Sequence, residues 1–87
     1  MTYVLYEFDA GPEDIIQVQL TRRANVRLLD KDNFQKYDNR QQHSYYGGHA
    51  TFSPVNLTPP HYGHWYLVVD LGGYPGRVGV SAAKIAA

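Results

Sequence analysis

Apolar and polar residues alternate along several short segments of this chain, and Gly or Pro punctuates the gaps between them. A period of two places successive side chains on opposite faces, as a half-buried β-strand requires and a helix cannot. Residues 64–71 alternate most clearly, with Trp65, Leu67, Val69 and Leu71 on one face and His64, Tyr66, Val68 and Asp70 on the other. Residues 2–8 place Val4, Tyr6 and Phe8 opposite Tyr3, Leu5 and Glu7, and residues 14–20 place Ile16, Val18 and Leu20 opposite Gln17 and Gln19. Asn25–Leu29 adds Val26 and Leu28, and Arg77–Ala82 adds Val78 and Val80. No helical segment separates successive strands regularly, so a βαβ architecture is excluded. The pattern predicts an all-β fold, an antiparallel two-sheet sandwich of jelly-roll-like form with about six to eight strands.

One stretch changes period. Asp32 stands in capping position with Gln35 three residues later, and Phe34 and Tyr37 at i, i+3 share a face, which predicts a short helix near residues 32–38. Gln41–Ser44 reads as polar loop, and Tyr45-Tyr46-Gly47-Gly48 opens a less regular region. Ala50–Leu57 has strand composition interrupted by Pro54, so it is expected at an edge or broken at a bulge. Turns are expected at Asp9–Pro12, Thr21–Arg23, Thr58–Gly63, Gly72-Gly73 and Pro75-Gly76, and the tail Lys84–Ala87 is expected to fray.

The chain has 87 residues, which predicts one domain over residues 1–87 with a thin core drawn from 21 Ile, Leu, Val and Phe residues. It has no cysteine, so neither disulfides nor thiolate metal sites are available to it. Eight basic side chains balance eight acidic ones, which lacks the basic surplus of a nucleic-acid binder. No apolar run is long enough to span a membrane as a helix, and the first residues lack signal-peptide order, so a cytoplasmic location is expected.

Catalytic patterns are thin. His61 and His64 are three apart in a turn-to-strand segment, a spacing that parts them, and His43 and His49 have no companion at metal-ligand spacing. Ser44, Ser53 and Ser81 lack a nucleophile elbow, and Gly72-Gly73-Tyr74-Pro75-Gly76 leads into a strand rather than the helix a phosphate loop needs. The expectation is a non-enzyme with no metal and no cofactor. Aromatics beside glycines stand out instead: Tyr45 and Tyr46 before Gly47-Gly48, Tyr62 and His64 around Gly63, and Tyr74 with Arg77 in the Gly-Gly-Tyr-Pro-Gly loop. Tyr offers an apolar ring with a polar tip, suited to recognition, so these six residues form the candidate binding set. The outward face of residues 64–71 (His64, Tyr66 and Asp70, with Arg27 or Arg77 on a neighbouring strand) is a candidate polar–aromatic patch.

The strings Asn25-Val26-Arg27-Leu28-Leu29-Asp30, Asn33-Phe34, Tyr37, Tyr45-Tyr46-Gly47-Gly48, Ser53-Pro54-Val55, Gly63-His64-Trp65-Tyr66 and Asp70-Leu71-Gly72-Gly73-Tyr74 with Gly76-Arg77 together resemble a small bacterial family. That family is catalogued as a domain of unknown function, number eighteen-eighty-three, and the likeness runs from about Thr2 to Ser81. The resemblance implies a compact β-sandwich and no activity. Some relatives are joined to TIR-type signalling domains, which implies an accessory recognition role. The resulting expectation is a non-catalytic interaction or recognition module taking a protein partner or a small polar ligand, with no nucleic acid and no membrane. The alternative is a small-molecule or glycan-binding domain that uses the loop aromatics.

Overall fold

A computed structural model describes residues 3–86; Thr2, at the start of the first expected strand, and Ala87, at the end of the tail, lie outside the described residues. Seven strands and one helix follow in the order β1 (Val4–Ala10), β2 (Asp14–Leu20), β3 (Ala24–Leu29), α1 (Lys31–Asp38), β4 (Tyr46–Ala50), β5 (Val55–Leu57), β6 (Gly63–Asp70) and β7 (Val80–Ala86). A four-stranded sheet runs β1-β6-β3-β4 and a three-stranded sheet runs β5-β2-β7. Every pairing is antiparallel. β6 lies at the centre of the larger sheet, matching Val4 with Val69 and Phe8 with Trp65 on one side, and Leu28 with Leu67 on the other.

The inward faces meet as the alternation requires. Ile16 and Val18 of the small sheet pack in one cluster with Val26, Leu28, Trp65, Leu67 and Val69 of the large one, all essentially shut off from water. Trp65 donates its indole N–H to the His61 carbonyl at 3.2 Å, so the ring is buried without an orphaned donor. The outer face of the large sheet is covered too. Leu29 and Val68 form a second buried cluster with Tyr37, and Tyr3 and Phe34 pack against it. Phe34 stacks on Tyr66 at 4.5 Å with the rings 2° from parallel. The molecule is therefore three layers deep over α1, and the expected outward patch at Tyr66 and Asp70 is largely roofed by that helix; Asp70 is only 2% exposed.

Four local expectations change. The helix cap is Asp30, not Asp32: its Oδ1 accepts from the Asn33 backbone N–H at 2.9 Å, and Asp32 falls in the first turn, where its charge faces the helix dipole favourably. From Tyr46 on, the Tyr-Tyr-Gly-Gly region is strand, with Leu28 opposite Tyr46 and Val26 opposite Gly48. Gly47 is obligatory there, since φ is +114° and an added Cβ would clash with the Val26 carbonyl oxygen. Ala50–Leu57 is broken at Pro54 as expected, Ala50 closing β4 and Val55–Leu57 forming β5 at the edge of the small sheet. Finally, the last strand starts at Val80 rather than Arg77, and Lys84–Ala86 does not fray: Ile85 pairs with Ile15 and Ala86 with Asp14.

The sheets are pinned where their edges approach. Tyr6 on β1 donates its hydroxyl to the Val80 carbonyl at 3.1 Å, and Lys84 on β7 donates to the Asp9 carbonyl at 3.0 Å.

Candidate functional site

β6 delivers Asp70 to the outer face of the large sheet, beneath the C-terminal end of α1. Its carboxylate accepts four hydrogen bonds: Oδ1 from Asn25 Nδ2 at 2.9 Å and the Gly72 N–H at 2.8 Å, Oδ2 from Arg27 Nη1 at 2.6 Å and the Tyr37 hydroxyl at 2.7 Å. Burial pushes the Asp70 carboxyl up, but the bonds from Asn25, Tyr37 and Gly72, with the Arg27 charge, together outweigh it and hold the group below the usual carboxylate range. Tyr37 moves the other way: burial first, then its bond to Asp70, drive its hydroxyl far above the ordinary phenol range, the Arg27 charge opposing only in part. Both groups therefore hold fixed protonation states at neutral pH, as a structural anchor needs and a proton-transfer pair does not.

The guanidinium of Arg27 continues this cluster outward. It lies 5.5 Å from the Tyr37 ring centroid and 5.1 Å from that of Tyr45. His43 contacts the same two rings, edge-on to Tyr37 at 5.3 Å and tilted to Tyr45 at 5.6 Å. A cavity of about 350 Å³ opens beside them, with Arg40 and Asp38 on its rim.

The charges separate along the strands. Arg22 and Arg23 occupy the β2–β3 turn, Arg77 the β6–β7 loop, Arg40 the segment after α1, and Arg27 reaches Asp70 at the same end. All five arginines of the chain are thus gathered there, against Asp38 and Asp70 alone among the acids. Asp70 is consumed by Arg27, and Asp38 accepts the Tyr3 hydroxyl at 2.7 Å. Glu7, Asp9, Glu13, Asp14, Asp30 and Asp32 lie toward the opposite end, along the first strands and at the start of α1. The zero net charge conceals this polarity.

A model of the family described as Domain of unknown function (DUF1883) matches residues 1–87. The chain belongs to that family. No curated protein and no solved structure matches the chain. The family description carries no chemistry, so what a DUF1883 domain of this sequence can do has to be read from its surface.

The structure spreads the six residues singled out in the sequence along β6 and beyond both its ends. Tyr62 and His64 stand at the start of β6, whereas Tyr74 and Arg77 follow its end, about 23 Å away along an eight-residue strand. Tyr45 and Tyr46 part where β4 begins: Tyr46 turns its ring edge-on to Trp65 at 6.0 Å, and Tyr45, just before the strand, goes to Arg27. His64 is pinned in the open, with Nδ1 2.7 Å from Asp9 and Nε2 2.8 Å from Glu7. The bonds to Glu7 and Asp9 raise its pKa above the ordinary imidazole value. Tyr74 is 77% exposed and borders, with Arg77, a cavity of about 540 Å³ against Val4, Val69 and Val78. Among the described residues no three His, Asp or Glu side chains gather as metal ligands.

The sequence placed Asp70 and Arg27 on one outward face, and the structure joins them, but Tyr37 and His43 were not read as members of that cluster. A signal was present: Tyr66 and Val68 put apolar bulk on the supposedly wet face of the strongest strand, and Phe34 and Tyr37 supply a helix stripe able to cover it.

Proposed function

We propose that this domain is a non-catalytic recognition module whose arginine-bearing end takes an acidic segment of a partner protein. The gathering of Arg22, Arg23 and Arg77 around exposed Tyr74, at the end remote from most of the acids, supports the reading. Arg and Tyr are the side chains that interfaces favour, because each offers a broad, stiff contact surface together with hydrogen-bond donors. Two shallow cavities share Leu71 and Tyr74 and lie on either side of the β6–β7 loop, one toward Arg77 and the other toward Arg22 and Arg23. A carboxylate-bearing chain crossing this loop meets cations on both flanks, and the acidic opposite end repels it, which fixes its orientation.

The test is fluorescence anisotropy with a labelled glutamate-rich peptide. Binding that weakens with added salt and disappears in the Arg22→Glu/Arg77→Glu variant supports the reading. Equal binding to the charge-reversed variant, or tighter binding of an oligonucleotide of matched charge, refutes it.

A further inference from the structure

We infer that the cavity beside Arg27 and His43 is a seat for a carboxylate, supplied by the acidic partner proposed above; the identity of the donor rests on that reading, the seat itself does not. Among the described residues, Arg27 Nε and His43 Nε2 are the two buried side-chain polar atoms that lack a hydrogen-bond partner. Buried polar atoms are nearly always satisfied, so two orphans on residues that line one cavity mark a place where a ligand atom is wanted.

The geometry selects the ligand. Arg27 Nη1 is committed to Asp70, which leaves the side-on edge formed by Nε and Nη2 as a flat fork, and a planar carboxylate matches such a fork with two parallel hydrogen bonds. His43 Nδ1 lies 2.9 Å from the Gln41 carbonyl and must donate to it. Nε2 is therefore a bare acceptor in the neutral ring and a donor in the imidazolium, so an oxyanion binds with uptake of one proton at His43. Charge points to a monoanion. Arg27 faces Asp70, and Arg40 shares the rim with Asp38, so these four balance and only protonated His43 adds a positive charge. Tyr3 and Tyr37, whose hydroxyls are both held above the ordinary phenol range, add no charge at neutral pH. A doubly charged phosphate would be left uncompensated, and a carboxylate is matched. Both nitrogens are shielded from solvent, and the ring of Tyr45 lies over the guanidinium.

NMR titration of the whole domain with sodium acetate, inorganic phosphate and the glutamate-rich peptide tests this. Acetate should shift the Arg27 side-chain Nε–H and the His43 ring signals to saturation, with one proton taken up per acetate bound. Arg27→Lys retains a cation for Asp70 but loses the fork, and His43→Phe retains the ring contacts but loses both nitrogens. Each should weaken acetate by about tenfold or more, and His43→Phe should abolish the proton uptake. If Arg27→Lys melts early, His43→Phe carries the comparison. No shift at Arg27 or His43, or unchanged affinity in His43→Phe, overturns the seat, and tighter binding of phosphate overturns its assignment to carboxylates. If the peptide binds through Arg22 and Arg77 while the Arg27 Nε–H stays still, the inference fails and the recognition reading stands. If acetate fills the cavity and the peptide ignores the arginine end, the seat stands and the recognition reading fails.

Discussion

Replacing Asp70 by Ala removes one acceptor group from four donors at once. Asn25 and Gly72 lie at the surface end of the cluster and can turn to water, but Tyr37 is buried and Arg27 is only 21% exposed at its side chain. Two buried hydrogen bonds to a charged acceptor, at ~1.5–3 kcal/mol each, set the loss at about 3–5 kcal/mol, the range found when one partner of a buried ion pair is deleted. For a domain of this size the melting temperature should fall by roughly 15–30 °C. Urea unfolding followed by Trp65 fluorescence measures the loss directly. The double variant Asp70→Leu/Arg27→Met, which leaves neither charge buried alone, should recover part of it. The acid limb gives a second reading. Because the folded-state pKa of Asp70 is depressed, its contribution is fully present above the unfolded carboxyl value near ~3.9 and is lost as pH falls through the lower folded value. Asp70→Asn should flatten that limb. A loss below about 1 kcal/mol in Asp70→Ala would refute the assignment of Asp70 as the anchor between α1 and the large sheet.

Trp65→Ala, which empties the largest buried site, should cost ~3–5 kcal/mol, and wild-type Trp emission should be blue-shifted; water-exposed emission with an unchanged melting temperature would contradict the register of β6. Gly47→Ala should destabilise by about 1–3 kcal/mol, through positive φ and the clash with the Val26 carbonyl, whereas Gly73→Ala meets no neighbour and should cost less; thermal melts rank the pair. The folded His64 has a raised pKa, so its bonds to Glu7 and Asp9 stabilise fully below the unfolded value near ~6.5 and lose that effect as pH rises through the higher folded value. Melting temperatures across that window should fall slightly in the wild type and stay flatter in His64→Gln, the effect being small because the triad is exposed.

The layers were legible wherever side chains reported their own face. Trp65, Leu67, Val69, Ile16, Val18, Val26 and Leu28 alternate and are buried where alternation places them. β4 escaped because Gly47 and Gly48 have no side chains to alternate and adopt positive φ, conformations that a sequence shows only as turn chemistry. The end of β7 escaped because Ala82, Ala83 and Ala86 carry little hydrophobic signal, and what holds them is pairing with β2, remote in sequence. The cluster around Asp70 lay further out of reach. Alternation assigns a face but not what covers it, and Asp70 meets Arg27 and Tyr37 across 43 and 33 residues. The exposed tyrosines were recognisable as unusual, but their spread over both ends of β6 is a property of register, visible only once the strands are paired.

A chain with no net charge has no electrostatic repulsion to keep its copies apart near neutral pH, and exposed sheet borders are where such copies fuse into fibrils. The bonds from Tyr6 and Lys84 occupy carbonyls on facing borders of β1 and β7, which denies an incoming strand part of its template. On the other flank β5 offers only three residues and β4 is bent by two glycines. The domain thus resists self-templating by geometry instead of charge, and Tyr6→Phe together with Lys84→Ala would be expected to shorten its shelf life in concentrated solution long before altering its fold.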